Sequence, residues 1–159
     1  EIVKKGQPAL QKIQHAFGDW VILDTGELDR QALRAHIFKD PDARRVLESI
    51  THPAIRQSII QQLHAATSPY VILVSPLLFE TNQHLLTQHT LLIDASEELQ
   101  IQRASQRDGQ SIEQIRQIIK AQMLRHKKQE LADDIVLNDG QLEHLYQHLQ
   151  PLHQDYLKR

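Results

Sequence analysis

The chain has 159 residues, a length that fits a single domain able to bury a substantial core. Its 18 Lys and Arg residues against 20 Asp and Glu residues give a formal charge of -2, so nothing in the charge balance favours nucleic acid or an acidic membrane as a partner. There is no cysteine, no apolar run near the length of a bilayer span and no start resembling a signal peptide. We therefore expect a cytoplasmic protein.

The first part of the chain is predicted to be helical. Apolar residues at helical spacing indicate one helix near residues 7–17 and another from Asp29. Proline is tolerated at the first position of a helix, and Asp40-Pro41 and Thr51-His52-Pro53 each indicate a helix start. Four helices are therefore expected before the first strand, with the last beginning at Pro53.

Residues 70–75 form a short apolar run without alternation, which is typical of a central strand covered by helices on both faces. Pro76 ends this strand because proline cannot donate to a sheet ladder. Ligands of open α/β sheets bind outside the carboxyl ends of the strands, and Glu80 emerges in the loop that lies there. Glu80 is thus a candidate functional carboxylate, and a solvated acid after a turn is an equal alternative.

The second half of the chain alternates strands with helices. A helix of low stability is expected over residues 80–88, and buried strands over 89–94 and 134–137. One helix follows Ser96, a long amphipathic helix opens with the capping pair Ser111 and Gln114, and a final helix follows Gly140. This order predicts parallel α/β layers.

Two arginines on the first of these helices could bind phosphate. Arg103 and Arg107 are four residues apart and share a helical face. Two planar guanidinium groups there could clamp a polyphosphate, as in the lid of a nucleotide kinase. The alternative is a solvated basic face paired with nearby acidic residues, namely Glu97, Glu98 or Asp108. A second basic run at the far end of the long helix is interpreted as favourable charge at a helix C-terminus, and it comprises Arg125, Lys127 and Lys128.

Other polar residues give weaker signals. His52 and Arg56 lie near the predicted helix start, where a phosphate or a pantetheine-type ligand could bind, although His52 could equally make a structural contact. Asn138 follows the third strand and could contact a base edge or form a turn with its neighbours. His144 and His148 are one helical turn apart but lack a third ligand, so no metal site is predicted.

Five ordered segments stand out along the chain: ELDRQALRAHIF (27–38), LESITHPAIR (47–56), SPYVILVSPLLFE (68–80), IDASEELQIQRASQRDG (93–109), and AQ (121–122) followed by ADDIVLNDG (132–140). Together they resemble the dephospho-coenzyme A kinase family. The resemblance implies a kinase that transfers the γ-phosphoryl group of ATP to the ribose 3′-hydroxyl of dephospho-CoA, with Mg²⁺ as cofactor. It also implies an α/β fold with three layers, a P-loop kinase-like parallel sheet, a helical substrate-binding domain and a lid.

The resemblance further assigns regions and residues. Residues 1–27 and 67–159 would form the nucleotide-kinase core, with the lid at about 104–131, and residues 28–66 the helical coenzyme-A-binding insertion. Dephospho-CoA would be bound by His52, Arg56, Pro76, Leu77, Leu78 and Glu80. The ATP phosphates would meet Arg103 and Arg107, and the adenine side of the site would include Asn138 and Gly140.

One part of the family pattern is missing from this sequence. No GxxxxGK[ST] loop is present, and neither is the Asp-x-Asp segment whose first aspartate is the usual general base. Because the chain opens with Glu1 and with helical segments, we expect an incomplete amino terminus. If the first strand and P-loop are truly absent, no kinase activity and an exposed strand edge are expected.

Two alternatives stay open at this stage. The chain could be another small-molecule or nucleoside kinase of the same fold, or a non-catalytic nucleotide-binding module. A monomer or a weak homo-oligomer is expected in each case.

Overall fold

The computed structural model describes residues 2–158. They form two compact units, one ending at Ala66 and the other beginning at Thr67. The amino-terminal unit contains helices α1 (Pro8–Phe17), α2 (Arg30–Lys39) and α3 (Pro41–Ala65). The carboxyl-terminal unit contains strand β1 (Leu91–Asp94), helices α4 (Glu97–Asp108), α5 (Ile112–Lys120) and α6 (Arg125–Leu131), strand β2 (Asp134–Leu137) and helix α7 (Leu142–Tyr156).

The amino-terminal unit is built around a small helical core. Ile13 of α1, Val21 of a short 3₁₀ turn and Leu33 of α2 are buried together, and Leu47 and Ile50 of α3 pack against them. Because α2 and α3 cover the apolar face of α1, residues 2–27 belong to the same compact unit as residues 28–66. The sequence had instead grouped residues 1–27 with residues 67–159.

Helix α3 runs through Pro53, so the predicted helix start at this residue is wrong. Proline lacks the N–H that would bond the carbonyl of Ser49, which is why a new helix seemed to begin there. The apolar side chains of Leu47 and Ile50 nevertheless continue the series of Ala43 toward the core at helical spacing. Beyond Pro53, Ile59, Ile60 and Leu63 are half-buried, so the helix keeps an apolar face past the lost hydrogen bond.

The two strands of the carboxyl-terminal unit pair in parallel, with Leu91 opposite Asp134 and Asp94 opposite Leu137. The predicted α/β class with parallel strands is thereby confirmed. Within residues 2–158 the sheet has these two strands. Helices α4, α5 and α6 lie between them in sequence, as a parallel connection requires.

Residues 70–75 have no regular secondary structure and do not form the predicted central strand. No backbone hydrogen bond among the described residues pairs this segment with a neighbour. Ile72 and Val74 are 72% and 86% exposed. A strand exists only through its partner, and the described residues offer none here. The weak helix expected over residues 80–88 is reduced to a 3₁₀ helix at Gln83–Leu86.

The ends of α4 and α5 follow the sequence signals. The Ser96 hydroxyl accepts a hydrogen bond from the backbone N–H of Leu99, and α4 ends before Gly109, whose φ of 63° favours glycine. Ser111 and Gln114 form the predicted capping box at the start of α5. These local predictions are confirmed.

The long helix expected beyond Ser111 is wrong, because α5 ends at Lys120 and α6 begins at Arg125. The backbone N–H of Met123 donates to the carboxylate of Glu80 at 2.9 Å instead of to a helical carbonyl. The run with Arg125 and Lys128 therefore starts a second helix. The interpretation as charge at a helix C-terminus is therefore wrong for Arg125, which begins α6, whereas Lys128 lies in the last turn of that helix. Among residues 2–158, no helix has the length and apolar character needed to cross a membrane.

Candidate active site

The carboxyl ends of β1 and β2 bring two polar residues together. Asp94 ends β1 and is 3% exposed, and Asn138 follows β2 directly. The backbone N–H of Asn138 donates to the carbonyl of Asp94 at 2.7 Å, which continues the strand ladder by one step. These residues lie where ligands of parallel α/β sheets bind.

The Asp94 carboxylate is held by the first turns of α6. Nε and Nη2 of Arg125 donate to Oδ1 and Oδ2 at 2.8 and 2.6 Å, and the amide of Gln129 donates to Oδ2 at 2.8 Å. The hydrogen bond from Arg125 lowers the pKa of Asp94 below its usual range, although burial acts in the opposite direction. Asp94 is thus ionised near neutral pH and fixes the start of α6 to the end of β1.

Glu80 makes a second connection to the same helix. Its Oε1 accepts from the N–H of Met123 and lies 3.1 Å from Nζ of Lys128. Burial raises the pKa of Glu80, but hydrogen bonds from the N–H groups of Met123 and of Glu80 itself, together with Lys128, lower it overall. The other oxygen, Oε2, is buried without a hydrogen-bond partner in residues 2–158.

The two predicted phosphate-binding arginines have different surroundings. Nη1 of Arg103 donates to the backbone carbonyl of Asn138 at 2.6 Å, which fixes the side chain at the strand ends. Its other N–H groups have no partner among the described residues. The Arg107 side chain is 76% exposed and forms a double hydrogen bond with Asp108, at 2.7 Å for each N–H. The structure therefore brings Arg103, but not Arg107, to Asn138.

The remaining predicted residues of this unit lie in two loops. Pro76 and Leu77 are exposed and Leu78 is half-buried in the turn that ends at Glu80. Gly140 is exposed in the turn between Asn138 and α7. We call the residues that meet at the strand ends and on α6 the carboxyl-end cluster: Glu80, Asp94, Arg103, Arg125, Lys128, Gln129 and Asn138.

His52 and Arg56 lie in the amino-terminal unit, exposed on α3. Because α3 is continuous here, the backbone N–H groups around them are used within the helix. The idea of an anion site at a helix start is therefore wrong, whereas a role of the two side chains in binding dephospho-CoA stays a prediction. A groove of about 720 Å³ runs between α1 and α3 and is lined by Pro53, but not by His52 or Arg56.

Sequence reasoning missed Asp94, Arg125, Lys128 and Gln129. A carboxylate at the end of a parallel strand had been used to select Glu80, and the same rule would have selected Asp94. The three residues of α6 carried no comparable signal, because their partners are distant in sequence and the helix boundary was misplaced.

No group of three or more His, Asp or Glu side chains in residues 2–158 could hold a metal ion. Both oxygens of Asp94 accept hydrogen bonds from Arg125 or Gln129. We therefore assign no residue of this chain to the metal.

Comparison with known proteins identifies the family. The family model for dephospho-CoA kinase matches residues 1–144. The chain belongs to this family. A dephospho-CoA kinase of Acinetobacter baylyi is 69% identical over 157 residues, which cover 99% of this chain and 80% of that protein. The resemblance inferred from the sequence motifs is thereby confirmed.

Solved structures agree with this membership. A crystal structure of a Thermus thermophilus protein matches with a TM-score of 0.78 and 31% identity, over 92% of this chain and 75% of that one. A dephospho-CoA kinase from Campylobacter jejuni matches with a TM-score of 0.70 and 26% identity, over 99% of this chain and 80% of that one. The folds of the family and of this chain are thus similar.

Proposed function

We propose that the chain acts as a dephospho-CoA kinase, which transfers the γ-phosphoryl group of ATP to the ribose 3′-hydroxyl of dephospho-CoA. The observation that carries this proposal is the family match over residues 1–144. The carboxyl-end cluster supports it, because charged groups converge at the strand ends of an α/β unit. Such a kinase is a transferase of coenzyme A biosynthesis.

Phosphoryl transfer depends mainly on positioning and on stabilisation of negative charge. Arg103 suits this role because Asn138 fixes its guanidinium group while leaving other N–H groups for phosphate oxygens. Arg107 is proposed to bind a phosphate group of ATP in exchange for Asp108. An exposed pair between neighbouring residues is weak, so this exchange costs little.

The acceptor is proposed to contact the loop that ends at Glu80. Pro76 and Leu77 expose apolar atoms there, and Leu78 is half-buried. His52 and Arg56 are proposed as further acceptor-binding residues, and Asn138 and Gly140 as neighbours of the adenine ring. Mg²⁺ would neutralise phosphate charge when bound. The cytoplasmic location and the monomeric or weakly associated state stay predictions.

Binding and transfer assays test this function. Isothermal titration calorimetry should show binding of dephospho-CoA in preference to adenosine and nucleoside monophosphates. Transfer of phosphate from ATP should show the same preference. Preference for a nucleoside monophosphate would contradict the proposal in favour of another kinase of this fold. Binding of dephospho-CoA without transfer would instead favour a binding module.

A further inference from the structure

Glu80 contacts the break between α5 and α6 and also helix α6 itself. Its Oε1 accepts from the N–H of Met123, which lies in the break, and pairs with Lys128, which lies one turn inside α6. Nζ of Lys128 also donates to Oε1 of Gln122 at 3.1 Å. The side chains of Glu80 and Lys128 are 20% and 17% exposed, so solvent screens this pair less than a surface pair. The Glu80 carboxylate therefore holds the segment 121–128 at two points, and Lys128 extends this contact to Gln122.

The loop that presents Glu80 is itself tightly hydrogen-bonded. The N–H and the hydroxyl of Thr81 donate to the carbonyl of Leu77 at 3.1 and 2.7 Å, and the N–H of Gln83 donates to that of Leu78 at 2.9 Å. Phe79, which lies between Leu78 and Glu80 in this loop, is buried. Because the loop is internally fixed, a displacement of residues 76–80 would move the Glu80 carboxylate with it.

Glu80 is also poised to change its bonding. Oε2 is buried without a hydrogen-bond partner in the described part of the chain. A buried acceptor without a donor is unfavourable, so a small shift that gave Oε2 a donor would be favoured. The contacts of Glu80 with Met123 and Lys128 would then change when the loop moves.

We propose that Glu80 is a positioning residue that transmits the binding of dephospho-CoA at loop 76–80 to residues 121–128, the segment that follows α5. This inference rests on the proposed function, because it takes that loop as part of the acceptor site. Acceptor binding would thereby set the position of part of the predicted lid. The link is reciprocal, so an ordered segment 121–128 would also favour the acceptor.

Helix α6 does not depend on Glu80 for its attachment. Arg125 and Gln129 tie it to the buried Asp94 at the end of β1. Loss of the Glu80 contacts should therefore leave α6 in place and remove only its link to the loop. This separation allows the coupling to be tested in folded variants.

Hydrogen exchange measured by mass spectrometry, with and without saturating dephospho-CoA, tests the coupling. In the wild-type protein the acceptor should slow exchange in residues 121–128 about tenfold, within the usual range of coupling between sites. In Glu80→Gln and Lys128→Met this slowing should fall below about threefold, although calorimetry still detects the acceptor. Lys128→Arg keeps the charge and should retain most of the slowing.

The matched control is Glu130→Gln, which removes an exposed ion pair with Lys127 on the same helix and should leave the slowing unchanged. Full slowing in both Glu80→Gln and Lys128→Met, or no slowing in the wild type with bound acceptor, would overturn the coupling. Failure of the wild type to bind dephospho-CoA would overturn the proposed function instead. If Glu80→Gln does not fold, the difference between Lys128→Met and Lys128→Arg decides the outcome.

Discussion

The two ends of the β1–β2 pair carry polar clusters of different chemistry. At the carboxyl ends, guanidinium groups meet carboxylates and a backbone carbonyl. At the amino ends, a cluster of hydroxyl, imidazole and carboxylate groups links β1 and β2 to α7 and to Tyr70, which precedes β1 in sequence. This amino-end cluster consists of Tyr70, His89, Thr90, Asp133, Asp134, His153 and Tyr156.

The hydrogen bonds of the amino-end cluster join parts of the fold. Nε2 of His89 lies 2.6 Å from Oδ2 of Asp134, which also accepts from the hydroxyl of Tyr156 at 3.0 Å. The hydroxyl of Tyr70 lies 2.6 Å from Nδ1 of His153. The carboxyl-end cluster also joins elements, but Arg103 retains N–H groups without partners in residues 2–158. The amino-end groups are thus hydrogen-bonded to one another, whereas the carboxyl end keeps N–H donors of Arg103 that the proposed function assigns to phosphate.

The largest expected effect is on catalysis and concerns Arg107, a proposed phosphate-binding residue of α4 that lies outside the carboxyl-end cluster. Arg107→Ala should lower kcat for phosphate transfer on the order of 100-fold, because a cation that stabilises transferred charge is lost. The Kd for dephospho-CoA should change less than about threefold. Lys158→Ala removes an exposed cation beyond α7 and serves as the control. An unchanged kcat in Arg107→Ala would contradict its role in binding phosphate.

The next effect concerns stability at the carboxyl ends. Asp94→Asn should lower the free energy of unfolding by about 2–3 kcal/mol, because Arg125 loses its charged partner beside a buried group. We expect less than for a fully buried pair, since the Arg125 side chain is 46% exposed. Urea denaturation followed by circular dichroism measures the change. A loss no larger than that in Glu130→Gln would show that the pair contributes little.

The pH dependence of the same pair sharpens the comparison. The pKa of Asp94 is lowered from its ordinary value of 3.8, chiefly by the hydrogen bond from Arg125. Its stabilising contribution is therefore complete above this ordinary value and is lost as the pH falls through the lower pKa of the folded state. The difference in unfolding free energy between wild type and Asp94→Asn should thus be smaller at about pH 3 than at about pH 7. An equal difference at both pH values would assign the effect to packing.

At the amino ends, a stability change without a binding change is expected. The Thr90 hydroxyl donates to Oδ2 of Asp133 at 2.7 Å and accepts from the N–H of Asp133 at 3.0 Å. Thr90→Val should lower the free energy of unfolding by about 1–2 kcal/mol, because both hydrogen bonds of the buried Thr90 hydroxyl are lost. Calorimetry should give an unchanged Kd for dephospho-CoA. The control is Thr67→Val, which changes an exposed site. Weaker binding of dephospho-CoA in Thr90→Val would contradict a purely structural role of the amino-end cluster.

The smallest expected effect concerns His52, which lies outside both clusters. His52→Ala should raise the KM for dephospho-CoA about fivefold, the loss of one hydrogen bond, with little change in kcat. His64→Ala, near the end of the same helix, provides the control. A KM equal to that of the wild type would leave His52 without a role in acceptor binding.

Local signals predicted local structure well. Residues 134–137 form the predicted strand, and Ser96, Ser111 and Gln114 cap the helices they were expected to cap. In each case the relevant atoms lie within a few residues of one another. The resemblance to the family rested on several such segments in order, which is why it could be recognised without a structure.

Long-range contacts could not be predicted in the same way. Residues 70–75 have the composition of a buried strand, but strand formation requires a partner that composition does not supply. Arg125 was interpreted through its own helix, whereas Asp94 determines its role from 31 residues away. The break at Met123 likewise depends on Glu80. These features arise from packing between segments, so a sequence pattern alone does not reveal them.

The proline inside α3 has a mechanical consequence. Without the N–H of Pro53, the helix lacks one rung of its ladder, so the turns on either side can open separately. The earlier turns are anchored to the core by Leu47 and Ile50. Arg56 lies beyond the missing hydrogen bond, so we expect the turns that carry it to open at a lower free-energy cost than the anchored turns.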